Sequence, residues 1–325
     1  MTEHTNWLVY KFTKAGEHFF VHLVDPSKLN LDFGFLKDSI KALQDPKAIK
    51  VLPFTKWLEL PSYSVGKLPP VGKIFHVARC GSTLLCQNLK ATGKFITLGE
   101  PEFLGRIYNP SNMFPEPFQT LASLAAKKAV ADWNLWANSL NKQLIIKFNS
   151  VSIMHQSQIR SDFPDSPVLC LIREPLAVLE SLTRTPPDYV QNQAWLDLYN
   201  TALPDLNTQP ADAMAHYAGK HYFHTLTQME QHSSGHSNTK VYDYTELSNN
   251  YAEIVSFLST NQITAANQEW NNTWSSKEGV WKSKPYKAIC NSTLNSFAEQ
   301  HDELLKALQS KYAQLKTLPI QHKES

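Results

Sequence analysis

Five consecutive residues, Arg79-Cys80-Gly81-Ser82-Thr83, sit between an apolar run, KIFHVA, and a helical pattern, TLLCQNLKA. A strand that turns sharply into a helix leaves the first helical N–H groups without partners. With the positive end of the helix dipole, those donors form an anion site. Gly81 lets the main chain approach a phosphate closely, and the hydroxyls of Ser82 and Thr83 add donors. The alternative is an ordinary strand–helix turn with a capping serine. Against the nucleoside-triphosphatase pattern G-x-x-x-x-G-K-[ST], His76 falls where the first glycine belongs and Ser82 where the lysine belongs. The nearest cation is Arg79 instead.

A second arginine stands at a similar place. PVLCLI ends at Arg173-Glu174-Pro175, a helical segment follows, and Ser181 lies eight residues beyond Arg173. A guanidinium offers phosphate a planar fork and the serine adds a hydroxyl from the following helix. A magnesium-dependent phosphotransferase often has an acid at such a strand end. The comparable carboxylate here is Asp243, at the end of KVYDY.

Together these segments resemble the sulfotransferase family, whose donor is 3′-phosphoadenosine 5′-phosphosulfate (PAPS). Arg79–Thr83 looks like the family's 5′-phosphosulfate loop, [KR]-[SC]-G-[ST]-[ST]. Arg173 with Ser181 looks like its 3′-phosphate signature. KVYDYTEL resembles a later Y-E-D-L-like segment. Ser275–Lys282 resembles the basic, glycine-containing loop that closes over the nucleotide, which implies Lys277 and Gly279 as donor contacts. The resemblance spans about residues 73–282. It implies a P-loop-NTPase-like fold, a parallel sheet flanked by helices, and sulfuryl transfer to a hydroxyl or amine without a catalytic metal.

The resemblance also implies roles. Arg79 takes the place of the family's catalytic cation at the leaving phosphate, alongside donor contacts from Cys80, Gly81, Ser82 and Thr83. In the branch with a glutamate base, that residue follows the phosphate-loop helix by one short connection, as Glu100 does after FITLG. Glu100 is therefore the expected base, with Glu102 as the fallback. Where the cytosolic branch often has an adenine-stacking Trp after the loop hydroxyls, this chain has Leu84. His76 reads as a packed strand residue. Lys147, interrupting LIIKF, either reaches the sheet's carboxyl edge or snorkels outward. His216, His221 and His224 share a helix and read as solvated residues, with a metal site as the alternative. Two rival functions remain: an ATP- and magnesium-dependent kinase or hydrolase, and a non-catalytic nucleotide-binding protein.

The elements that must hold these residues follow from periodicity. From Lys73 onward, short apolar runs alternate with helical patterns, which argues for a parallel sheet with helices on its faces. Residues 1–68 read as an N-terminal appendage: strands WLVYKF and HFFVHLV, a helix over 35–43, then a loop rich in Lys and Pro. Residues 69–325 read as the α/β domain, with a helix over 151–159 and long helices over 118–140, 211–232 and 292–315.

Composition bounds the rest. In 325 residues, 42% are hydrophobic and 18% charged, enough for a sizeable core. A net charge of +2 gives no case for a nucleic-acid or membrane partner; the resemblance implies a small-molecule or glycan acceptor. Four cysteines without a C-x-x-C pair, no membrane-length apolar run and no leader pattern suggest a cytoplasmic protein.

Overall fold

The computed structural model describes residues 7–60, 70–108, 118–185, 213–234, 236–259, 270–271 and 291–317. The sequence begins with two runs of alternating burial, β1 (Leu8–Ala15) and β2 (His18–Val24), which pair antiparallel. A third strand, β3 (Ile49–Pro53), adds to the free side of β2. The sequence reading gave this stretch as loop. Lys50 and Pro53 hid the strand, since an edge strand keeps only one row of partners and tolerates both residues. Short helices α1 (Leu36–Lys41) and α2 (Phe54–Glu59) flank this sheet. Phe12 packs edge-on against Phe54 and Trp57, with ring centroids 5.9 and 5.8 Å away. Each such ring stabilises the fold by about 1.5–3 kcal/mol through burial alone.

The second sheet has five strands: β4 (Gly72–His76), β5 (Phe95–Gly99), β6 (Gln143–Lys147), β7 (Val168–Ile172) and β8 (Thr239–Asp243). Their spatial order is β5-β6-β4-β7-β8 and every pairing is parallel. All residues of β4 to β7 are buried, as expected of a parallel sheet covered on its faces. Helices α3 (Ser82–Ala91), α4 (Glu102–Ile107), α5 (Phe118–Ser139), α6 (Gln156–Asp162), α7 (Pro175–Arg184) and α8 (Ala213–Ser233) connect or flank the strands. After β8 come α9 (Tyr251–Leu258), α10 (Asn291–Gln300) and α11 (Asp302–Lys316). The fold is the expected α/β class, with a parallel central sheet flanked by helices.

Two helices differ from expectation. The predicted helix over 151–159 begins as a 3₁₀ turn, Ser150–His155, because the Asn149 side chain accepts from the Ser152 N–H and tightens the start. The predicted closing helix breaks at His301, whose φ of −126° and ψ of 29° are not helical, giving α10 and α11.

The chain lays β5 and β6 on one side of β4 and β7 and β8 on the other, so its direction reverses at β4. Ligands in open α/β sheets bind beyond the carboxyl ends of the strands at such a reversal. His76, Lys147, Gly99 and Asp243 close four strands there, and Arg173 follows β7. The N-terminal sheet belongs to the same core: Leu8, Phe12 and Trp57 lie in one buried cluster with Phe75, Leu98 and Ile146. The Trp133 indole of α5 donates to the Val9 carbonyl at 2.8 Å. The segment holding the expected 68/69 boundary lies outside the described residues. Among the described residues, no helix is long and apolar enough to cross a membrane.

Candidate active site

Val77, just past β4, still bonds to Leu171 at 3.0 Å before the chain turns. The turn needs two left-handed residues, Arg79 at φ +62° and Gly81 at φ +80°. The arginine is strained there, and its carbonyl is held by the Arg173 guanidinium at 2.8 Å. Gly81 is required twice over. Besides its φ, a Cβ there would lie 2.5 Å from the Tyr244 ring. The first intrahelical bond of α3 runs from Leu85 N–H to Gly81 at 3.0 Å. The N–H groups of Ser82, Thr83 and Leu84 therefore have no helical acceptor and share the positive end of the dipole. Of the expected donor contacts, Cys80 has its sulfur buried in the core, and burial pushes its thiol up to about 11 despite the Ser82 N–H. Only its main chain is left for a ligand.

Arg173 joins this loop from the end of β7. Its guanidinium carbon lies 4.6 Å from the centre of the Tyr244 ring, and its carbonyl accepts from the Tyr222 hydroxyl at 2.5 Å. Arg79 reaches across to the Thr185 carbonyl at 3.0 Å, just past α7. The two arginines expected from the sequence are thus brought together. Ser181 lies half-buried on the second turn of α7. That helix start differs from the start of α3: the Glu174 carboxylate already accepts from the Leu176 and Ala177 N–H groups at 2.9 Å each. The anion-receptive helix start is that of α3.

Glu100 follows β5 with φ +48°, its N–H bonded to the Lys147 carbonyl at 2.7 Å. Its Oε1 lies 2.5 Å from the Lys147 ammonium and 3.7 Å from His76 Nε2. Lys147 therefore points into the sheet's carboxyl edge, resolving the alternative left open by the sequence. Its side chain is 1% exposed against 32% for Glu100. Burial alone would raise the Glu100 carboxyl, but Lys147 and then His76 hold it below its ordinary value. His76 is buried as expected, yet its Nε2 faces the carboxylate. Burial, then Lys147, drives its pKa down to about 4, so the ring is neutral, with Nδ1 bonded to the Val77 carbonyl. Glu102, the fallback base, is tied to Arg106 at 2.9 Å and lies 3.5 Å from Lys11.

Two further side chains at this end escaped the sequence reading. Phe35 covers Lys147, with the ammonium 4.7 Å from its ring centre, and Lys37 adds positive field at Glu100. Nothing local marks them, because the contact joins the N-terminal sheet to β6. Tyr244, packed between Gly81 and Arg173, had one signal: an aromatic directly after a strand-end acid.

Asp243 is fully used in the fold. One oxygen accepts from the Thr245 N–H and hydroxyl, the other from the Tyr312 hydroxyl at 2.5 Å, and Glu246 completes a capping box. Of the histidines on α8, His216 and His221 are buried and His224 is half-buried, none of them fully solvated, and burial drives the His221 pKa to about 3. Among the described residues, no group of three or more His, Cys, Asp or Glu side chains could hold a metal. Lys277, Gly279 and the loop around them lie outside the described residues.

No family model and no curated relative matches the sequence. Among solved structures, the chain is similar to the sulfotransferase domain from the curacin biosynthetic pathway, at 16% identity over 78% of this chain and all of that one, with a TM-score of 0.42. It is also similar to a sulfotransferase from Alicyclobacillus acidocaldarius, at 15% identity over 74% of this chain and 95% of that one, with a TM-score of 0.39.

Proposed function

We propose that this chain is a sulfotransferase that moves a sulfuryl group from PAPS to the hydroxyl or amine of a small-molecule or glycan acceptor. The observation that carries the reading is the joining of two arginines at adjacent strand ends with an acid–cation pair. Arg173 is hydrogen-bonded to the Arg79 loop, and the Glu100–Lys147 pair lies at the neighbouring carboxyl ends of the same sheet. A donor with separate 5′ and 3′ phosphates needs two such cations. A magnesium nucleotide instead needs a free strand-end carboxylate, and Asp243 is committed to Thr245 and Tyr312.

In this reading, the loop N–H groups, Ser82 and Thr83 hold the 5′-phosphosulfate, while Arg173 and Ser181 hold the 3′-phosphate. Lys277 and Gly279 close over the nucleotide. The acceptor oxygen attacks sulfur in line, the bond from sulfur to the bridging phosphate oxygen breaks, and 3′,5′-bisphosphoadenosine leaves. Arg79 takes up the charge gained by the leaving phosphate. Glu100 receives the acceptor proton on Oε2, since Oε1 carries the contacts to Lys147 and His76. The depressed pKa makes the carboxylate a weaker base but keeps it ionised across the neutral range. As it takes the proton, its hold on Lys147 weakens, and the ammonium turns toward the charge developing on the sulfuryl oxygens.

The test is thermal stabilisation by 3′,5′-bisphosphoadenosine and by ATP, each with and without magnesium. The bisphosphate should stabilise without metal and more than ATP does. At about 100 times its Kd the gain is about 2.7 kcal/mol. Equal or greater stabilisation by magnesium-ATP would overturn the reading in favour of a kinase or hydrolase.

A further inference from the structure

The turn at residues 31–35 with the start of α1 at 36–37, between β2 and β3, is fastened to the carboxyl end of the parallel sheet by several independent contacts. Lys90 of α3 donates to the carbonyls of Leu31 and Phe33 at 2.5 Å each, and Gln87 donates to that of Asp32 at 3.1 Å. The Gly34 carbonyl lies so close to Gly99 that any side chain there would collide with it, so β5 must end in glycine. The residue following that contact is Phe35 on one segment and Glu100 on the other. Phe35 lies over Lys147 with its ring half-buried, and the Lys37 ammonium sits 5.5 Å from the same ring. Lys37 is exposed, and among the described residues no carboxylate forms an ion pair with it. Asp38, adjacent on α1, does not face it, because successive helical residues diverge. Beside the Glu100–Lys147 pair, the exposed Lys37 ammonium therefore sits next to an aromatic face.

We propose that the turn 31–37 is a wall of the acceptor subsite, in which Lys37 binds an anionic group of the acceptor and Phe35 supports its apolar or ring face. This rests on the sulfotransferase reading, because it takes Glu100 as the point the acceptor hydroxyl must reach. The acceptor is then a hydroxyl compound bearing a carboxylate, sulfate or phosphate, and neutral analogues bind less well. The role is recognition: Lys37 takes no part in moving the sulfuryl group.

The test measures thermal stabilisation of the full chain saturated with 3′,5′-bisphosphoadenosine, with matched hydroxyl compounds added. The pairs are 4-ethylphenol against 3-(4-hydroxyphenyl)propionate, and methyl glucoside against glucuronate. At least one anionic member should add stabilisation beyond its neutral partner. Lys37→Glu should weaken it by about tenfold to a hundredfold, the scale of one charge-assisted contact. Phe35→Leu, which keeps an apolar side chain, should weaken the phenolic member more than glucuronate. Stabilisation by the bisphosphate itself should be unchanged in both variants. Neutral members that match the anionic ones, no compound adding stabilisation, or an anionic preference that survives Lys37→Glu would each overturn the proposal while leaving the donor assignment standing. Failure of the bisphosphate to bind the unmodified protein would instead remove the sulfotransferase reading, and this proposal with it.

Discussion

Replacing Lys147 by Met tests whether the buried end of β6 is held by charge or by packing alone. The side chain is 1% exposed and its carboxylate partner 32%, so the pair is neither a surface pair nor a fully buried one. Exposed pairs contribute at most about 1 kcal/mol, and removing one partner of a buried pair costs about 3–5 kcal/mol. Discounting for the solvent that reaches Glu100, the expected loss at neutral pH is about 1–3 kcal/mol. At about 2–4 °C per kcal/mol, that lowers Tm by about 2–12 °C. The pH dependence is the sharper signature. In the unmodified protein the Glu100 carboxyl is depressed below its ordinary 4.5, so its contribution is present above that pH and lost as pH falls through the depressed value. Without Lys147, burial becomes the dominant influence and raises the carboxyl above 4.5. The ionised carboxylate then destabilises the variant until falling pH protonates it. The Tm difference between the two proteins should therefore be largest near pH 7.5 and shrink toward pH 5. A difference independent of pH, or no difference at all, would refute the ion pair as the force holding this site together.

Glu100→Gln keeps the shape but cannot take a proton, so turnover should fall by about 10²–10⁴ while the Kd for 3′,5′-bisphosphoadenosine is unchanged in calorimetry. Near-normal turnover would move the base elsewhere. Arg173→Ala should weaken binding of that bisphosphate by about 1.5–3 kcal/mol and binding of adenosine 5′-phosphosulfate much less. Equal losses would assign Arg173 a structural role. Gly81→Ala places a methyl group against the Tyr244 ring at an unfavourable φ, so it should cost about 1–3 kcal/mol in denaturant unfolding and reduce nucleotide binding. Unchanged binding would mean the loop does not carry the donor.

The strands from KIFHVA onward were legible because a parallel sheet buries both faces and writes uninterrupted apolar runs into the chain. Arg79 and Arg173 were legible because each follows such a run directly, and strand ends are where α/β sheets do chemistry. Lys147 was visible but ambiguous, since an interruption near a strand end gives no direction for a long side chain. Phe35 and Lys37 were not legible at all, because their contact with β6 spans most of two sheets and follows no local period. The missed strand β3 and the break at His301 have the same origin: each depends on a neighbour distant in sequence or on one backbone angle.

The anchoring of the turn at 31–37 constrains how the chain can fold as it is made. The three-stranded sheet leaves the ribosome before the parallel sheet, but the surface it docks on is assembled from α3, β5, α4, α5 and β6. Synthesis proceeds at about 5–20 residues per second, so the sheet waits several seconds before Lys90, Trp133 and Lys147 are all available to it. The face of the sheet that meets α4 and α5 stays exposed through that interval. The vulnerable species in production of this protein is the nascent chain ending short of β6, and cooler expression or a chaperone that shields that face should raise the yield of folded protein.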